Sequence, residues 1–212
     1  MPMIRVMIAD DHAIVRQGLK QILSETDDIN VTGEAETGFQ AIKIVRQHDF
    51  DVMLLDISLP DRNGIEILKQ IKKDKPNLAV LMLSMHNEHE FAIRALKAGA
   101  AGYLNKQSAP AQLVVAIRQV ATGNKYVSPA VAQELANTVN SDADQPLHNT
   151  LSDREFQTLC LIAAGKTLSD ISVEMFLSPK TVSVYRARLL EKLKLTNNSE
   201  LIRYAIKNKL VD

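Results

Sequence analysis

Asp10-Asp11, Asp56 and Ser84 each follow directly on a run of apolar residues, and Lys106 follows a short one after Asn105. Three carboxylates brought together repel one another unless one is protonated or a cation lies among them. Hard oxygen donors in an open loop suit Mg²⁺, which keeps some of its waters and accepts phosphoryl oxygens. A lysine ammonium and a serine hydroxyl nearby would supply further positive charge and a hydrogen bond to a phosphoryl group. A carboxylate in that setting can act as a nucleophile and become an acyl phosphate, and Asp56 is the best placed of the three. Taken singly, each Asp reads as a helix cap or a solvated strand end. The chemistry requires a fold that brings all five residues to one edge.

The elements that would do so are legible. Ile4–Ala9 is an apolar run ending in Asp10-Asp11, and Ile14, Val15, Leu19, Ile22 and Leu23 then share one helical stripe over 12–25. Ile29–Ala35 alternates as a strand does, and a helix is expected over about 38–47. Asp51–Asp56 carries Val52, Met53, Leu54 and Leu55, followed by a loop with Pro60, Asp61, Asn63 and Gly64. A helix over about 64–74 leads to the run Leu78–Leu83, and one over about 88–98 ends at Gly99, a plausible C-cap. Gly102–Lys106 is a fifth short strand, and a helix is expected over about 110–122. Strands alternating with helices predict an α/β doubly wound, five-stranded parallel sheet. In strand order 2-1-3-4-5 the ligand crevice lies beyond the carboxyl ends of strands 1 and 3, where Asp10, Asp11 and Asp56 fall. Ser84 and Lys106 end strands 4 and 5. His86 and His89, with Glu88 and Glu90, have a superficial metal spacing but read as a solvated face.

Residues 128–139 predict one more helix, opened by Ser128-Pro129. Asn140–Thr150, rich in Asn, Asp and Ser, reads as linker. Four helices then follow. Ser152 and Glu155 form a capping box, Gly165 ends that helix, Thr167 and Asp170 form a weaker box, and Ser178-Pro179 opens a third helix. Asn197 or Asn198 opens the fourth. A small all-α helix-turn-helix domain is the expected architecture, so the expected division is 1–124, a linker with one helix over 125–147, and 148–212.

Net charge is zero, with 25 basic and 25 acidic residues, but the total hides an asymmetry. Residues 126–178 carry two bases against seven acids, whereas residues 179–211 carry eight bases against two acids. A basic segment in a neutral chain points to a polyanionic partner. On the third helix Val182, Tyr185, Leu189 and Leu193 form the inward stripe. The outward face offers Lys180, Thr181, Ser183, Val184, Ala187 and Arg188, with Lys192 nearby. Small residues let a helix approach the major groove, Val184 and Ala187 can touch thymine methyls, and Lys and Arg can reach phosphates or guanine. Leu201, Ile202, Ala205 and Ile206 on the fourth helix suit either a dimer contact or plain core. Charge alone would equally suit a solvated helix in a protein-binding bundle.

Composition narrows the setting. Hydrophobic residues at 46% and charged residues at 24% exclude a disordered or collagen-like chain. The single cysteine, Cys160, excludes an internal disulfide and a Cys-rich metal site, and it sits on an apolar stripe that reads as core. With neither a cleavage pattern nor a membrane-length apolar run, the expected setting is cytoplasmic, with no membrane partner.

The Asp10-Asp11-His12 triplet, the Leu54-Leu55-Asp56 run, the Leu59-Pro60-x-x-x-Gly64 loop, Ser84 and Lys106 resemble the receiver domain of two-component response regulators over residues 3–122. The resemblance implies phosphorylation of Asp56 by a histidine kinase. It implies Mg²⁺ held by Asp10, Asp11, Asp56 and the backbone carbonyl of Ser58. It also implies a switch in which the Ser84 hydroxyl and Tyr103 move inward. Leu151-Ser-Asp-Arg-Glu155, Gly165-Lys-Thr, Ile171 and Leu177-Ser178-x-Lys180-Thr181-Val182 resemble the LuxR-type helix-turn-helix over residues 148–210. Phe176 departs from that family, which usually carries a polar residue at this turn position. Together the two halves resemble the NarL/FixJ class, which implies a homodimer on double-stranded DNA and a regulator, not an enzyme. Two alternatives stand beside it. One is a DNA binder whose receiver is only a dimerisation scaffold. The other is an Mg²⁺-dependent phosphatase with Asp56 as nucleophile, against which Ser58 counts, because such enzymes usually carry an acid two residues on.

Overall fold

A computed structural model describes residues 3–84, 88–108, 110–129, 131–133, 146–208 and 210–211. The chain divides into two compact units, Met1–Leu135 and Ala136–Asp212. In the first, strands β1 (Ile4–Ala9), β2 (Ile29–Ala35), β3 (Val52–Asp56), β4 (Ala79–Ser84) and β5 (Gly102–Asn105) alternate with helices α1 (Ala13–Ser24), α2 (Gly38–Gln47), α3 (Gly64–Asp74), α4 (Glu88–Lys97) and α5 (Pro110–Ala121). The sheet is parallel throughout, in the order β2-β1-β3-β4-β5. The expected doubly wound fold is therefore the observed one.

Position in the sheet explains the strand sequences. Central β3 is buried along its whole length, so it is apolar without interruption up to Asp56. Edge strand β2 alternates, and buries only its two ends fully. One face of the sheet packs Val6, Ile8, Val52, Leu54, Leu81 and Leu83 against Leu113, Ala116, Ile117 and Val120 of α5. The stripe expected on α1 is only partly right. Ile14 is 89% exposed, and the buried positions of that helix are Arg16 and Leu23. Arg16 is inside because its guanidinium donates to the carbonyl of Asp10 at 2.7 Å and pairs with Glu36.

The first unit continues past residue 124. Tyr126 forms a parallel bridge to Gly102, its N–H donating to the Ala101 carbonyl at 2.9 Å, so it covers part of the free edge of β5. A Cβ on Gly102 would lie 2.5 Å from the Tyr126 carbonyl oxygen, which explains the glycine there. Of the helix expected over 128–139, residues 130 and 134–139 lie outside the described residues.

The second unit holds helices α6 (Asp153–Ala163), α7 (Leu168–Glu174), α8 (Pro179–Leu193) and α9 (Asn198–Lys207). Both capping boxes form, at Ser152–Glu155 and at Thr167–Asp170, and Ser178 and Asn197 cap the other two helices. Gly165 adopts φ +83°, as the end of α6 requires. Phe156, Leu159, Ile171, Met175, Val182, Leu189, Leu193, Leu201 and Ala205 make the core, and Cys160 is buried as expected. The reading of 140–150 as plain linker fails at its end. Leu147–Thr150 is a 3-10 turn whose His148 is buried, its Nδ1 3.1 Å from the Tyr204 hydroxyl and its ring beside Phe156.

Phe176, in the turn between α7 and α8, adopts φ +53° and is 57% exposed. A bulky side chain in this left-handed region costs about 1–2 kcal/mol, and asparagine tolerates it better. Phe176→Asn is expected to raise unfolding stability by about 1 kcal/mol in urea denaturation.

Candidate phosphoacceptor pocket and nucleic-acid interface

Parallel pairing brings the carboxyl ends of β1, β3, β4 and β5 to one edge. Asp10, Asp56 and Ser84 are buried there, while Asp11 and Lys106 are partly exposed. The N–H of Lys106 donates to the Ser84 carbonyl at 2.8 Å, tying β5 to β4 where the chemistry lies. The Lys106 ammonium then reaches Asp10 Oδ2 at 2.6 Å and Asp56 Oδ2 at 2.8 Å. These contacts are close enough for ion pairs, and neither oxygen meets hydrogen-bond geometry. The buried Oδ1 of Asp11 is in the same position. Buried carboxylate oxygens from three residues, lacking directed donors and lying in one cluster, are a donor set that fits a hard divalent cation.

Electrostatics agree. Burial pushes the Asp56 carboxyl above the ordinary carboxylate range; Lys106 pulls it back in part, and the charge on Asp10 pushes it up again. Burial works against the Lys106 ammonium, yet Asp56 and Asp10 together outweigh it and hold Lys106 above the ordinary lysine value. A protonated, anchored cation therefore stands beside a carboxylate that is under-compensated.

The loop after Asp56 is built to hold that carboxylate still. Ser58 bridges to Asn63, the N–H of Gly64 donates to the Ile57 carbonyl at 2.8 Å, and Asn63 caps α3 through the Ile65 N–H at 2.8 Å. Asp61 accepts from the N–H groups of Gly38 and Phe39, both at 2.8 Å, so the same loop is fastened to the start of α2. Neither Asp61 nor Arg16 stood out in the sequence. Both act over long sequence separations, and Arg16 interrupts an apolar stripe, which is the one signal available.

Tyr103, expected to move inward, is already buried at 5% exposure on β5. His86 and the side chains of Glu88, His89 and Glu90 lie outside the described residues.

In the second unit α8 turns Val182, Leu189 and Leu193 inward, and leaves Lys180, Ser183, Val184, Ala187 and Arg188 exposed with Thr181 at the margin. Thr181 is held at the helix start by Ser178, through its N–H at 3.1 Å. Among the described residues Lys180 and Arg188 have no ion-pair or hydrogen-bond partner. Lys192 is placed differently. It lies beside the buried stripe, and its ammonium pairs with Glu155 at 2.7 Å, joining α8 to the capping box of α6. Burial works to raise the Glu155 carboxyl, but Lys192 and the Ser152 N–H outweigh it and hold it below the ordinary value. On α9, Leu201 and Ala205 are core, whereas Ile206 is exposed. Among the described residues no helix is long and apolar enough to cross a membrane.

A family model of the response regulator receiver domain matches residues 6–118, and one of the bacterial regulatory proteins of the luxR family matches residues 149–205. Response regulator UvrY of Escherichia coli (strain K12) is 37% identical over 98% of this chain and 96% of its own. Response regulator GacA of Pseudomonas aeruginosa is 37% identical over 99% of each chain. Among solved structures, RcsB from Salmonella enterica serovar Typhimurium, bound to promoter rprA in the presence of phosphomimetic BeF3-, is similar at 29% identity. It covers 95% of this chain and 98% of that one, with a TM-score of 0.65. A structure of two RcsB dimers bound to two parallel DNAs covers 95% and 97%, at 30% identity and a TM-score of 0.59.

Proposed function

The chain belongs to the two-component response regulators of the NarL/FixJ class, a receiver domain joined to a LuxR-type helix-turn-helix DNA-binding domain, and on that premise we propose that phosphorylation of Asp56 controls how it binds DNA. The observation that carries the reading is the pocket itself, where Asp56 and Asp10 share the Lys106 ammonium beside carboxylate oxygens that lack directed donors. Asp10, Asp11, Asp56 and the Ser58 carbonyl would hold Mg²⁺, which when bound offsets the carboxylate charge and polarises the phosphoryl oxygens.

The chain's own residues then divide the work. A carboxylate oxygen of Asp56 attacks phosphorus as the bond to the phosphohistidine nitrogen of a partner kinase breaks, and the phosphoryl group ends as an acyl phosphate. Lys106, anchored on Asp10, compensates the charge on the transferred oxygens. The Ser84 hydroxyl, buried at the end of β4, donates to one of them. Its displacement, together with Tyr103, would reshape the surface of β4, β5 and their helices and so bias dimerisation. The chain then acts as a stoichiometric switch in the cytoplasm, without turnover of small phosphate esters.

The dimer follows from DNA geometry, because helix-turn-helix readers place two recognition helices on two half-sites. Lys180, Thr181, Ser183, Val184, Ala187 and Arg188 of α8 form the proposed reading face. Lys192 serves the domain's own structure through Glu155. The test is binding to a duplex selected from random sequence, measured against salt. Lys180→Ala and Arg188→Ala are each expected to weaken binding and to reduce the slope of log affinity against log salt by about one. Lys192→Ala should lower stability and leave the slope near that of the unmodified protein. Equal slopes for all three variants would remove α8 from the interface.

A further inference from the structure

His12 takes no part in the chemistry assigned so far, yet it lies against the acidic pocket. Its Nδ1 is 2.8 Å from Asp11 Oδ1 and 3.4 Å from Asp10 Oδ1. Its backbone is fixed in place, the N–H donating to Asp10 Oδ1 at 2.9 Å. His12 stands at the N-cap of α1, but its side chain makes no capping hydrogen bond to that helix. The ring is 64% exposed on its side chain, so it can turn about fixed backbone without disturbing any core.

We propose that His12 is a nitrogen ligand that makes this pocket a site for Zn²⁺, in competition with Mg²⁺ for the same carboxylates. The proposal rests on reading the pocket as a cation site. One ligand atom each from Asp10, Asp11, His12 and Asp56 all lie within 4.8 Å of one another. Tetrahedral donors at about 2.0–2.1 Å from one Zn²⁺ lie about 3.4 Å apart, a spacing that His12 Nδ1 already approaches at 2.8 Å from Asp11 and 3.4 Å from Asp10, while the widest pairs must close by about an ångström or more through side-chain rotation. Three carboxylates and one imidazole are a four-donor set for this cation. Mg²⁺ prefers oxygen in octahedral geometry and gains little from a nitrogen, whereas imidazole favours Zn²⁺. His12 thus alters which divalent cation the pocket prefers, while the oxygen donors of Asp10, Asp11, Asp56 and the Ser58 carbonyl set its affinity for Mg²⁺.

The experiment is calorimetric titration of the full chain with Zn²⁺ and with Mg²⁺, on wild type, His12→Ala and His12→Gln. Circular dichroism checks that each variant folds. Other histidines also take Zn²⁺ weakly, so only the Zn²⁺ binding that saturating Mg²⁺ suppresses is counted. The ratio of Zn²⁺ to Mg²⁺ affinity at that site is expected to fall at least tenfold in both His12 variants. The His12 ring resonances in NMR should shift with Zn²⁺ far more than with Mg²⁺. An unchanged ratio, or ring resonances that respond equally to the two ions, overturns the role of His12. If Asp11→Asn and Asp56→Asn leave Mg²⁺ binding intact, the reading of the pocket itself fails, and that result is distinct from the first.

Discussion

Gly64→Ala is expected to destabilise the first unit by about 3 kcal/mol or more, the loss being read from urea denaturation. A Cβ at this position would lie 2.2 Å from the carbonyl oxygen of Asp56, 2.7 Å from Ile57 Cα and 3.0 Å from the Asp56 carbonyl carbon. All three are backbone atoms at the end of the central strand, so nothing nearby can swing aside. Relief requires β3 or the start of α3 to move, and either shift carries Asp56 away from Lys106. The variant should therefore lose Mg²⁺ affinity along with stability. Gly38 and Gly18 calibrate the result. At Gly38 the closest atom is Ile67 Cδ1, the far end of a flexible side chain, so alanine should cost less there. At Gly18, inside α1, nothing lies within 4 Å, and alanine should stabilise by about 0.5–1 kcal/mol. A Gly64→Ala cost no greater than that at Gly38 would mean that the loop can relax.

Asp56→Asn should have the opposite sign. Burial raises the Asp56 carboxyl in the folded protein, and Lys106 offsets this only in part. A carboxyl with a higher pKa folded than unfolded binds more protons in the folded state, so it lowers stability as pH rises. In metal-free protein that loss begins near pH 4, where the unfolded carboxyl titrates, and is complete once pH has passed the raised folded value. Asparagine has no such charge, and Lys106 retains Asp10 at 2.6 Å. At pH 7 and without divalent cations, Asp56→Asn should be more stable than wild type by about 1 kcal/mol or more. The gap should shrink toward zero as pH falls below about 4. Added Mg²⁺ should stabilise wild type more than the variant and narrow the gap from the other side. A variant less stable than wild type at pH 7 would show that the Lys106 pair outweighs the burial of Asp56.

The sequence made the strands legible because a doubly wound sheet writes them as short apolar runs, and because Asp10, Asp56 and Ser84 close three of them while Lys106 follows the end of β5. Helix starts were equally plain, since Ser152, Thr167 and Ser178 cap through local hydrogen bonds within three residues. Contacts across long separations were not legible. Asp61 fastening α2, Arg16 holding the Asp10 carbonyl and Tyr126 closing the edge of β5 all join segments that local pattern keeps apart. Lys192 shows the same limit. Its residue type fits a DNA-contacting lysine, and its pairing with Glu155 joins α8 to α6 across 37 residues that local pattern does not connect. His148 was hidden by its polar neighbours, though a buried histidine between Phe156 and Tyr204 is what ties the 3-10 turn to the helical bundle.

The central claim is that Asp56 accepts a phosphoryl group, and intact mass tests it most directly. Wild type and Asp56→Asn are incubated side by side with Mg²⁺ and a small-molecule phosphodonor. One phosphoryl adduct on wild type and none on the variant is the predicted result. Adducts on both proteins, or none on folded wild type, would contradict it, and the first unit would then be a scaffold for dimerisation and not a phosphorylation switch.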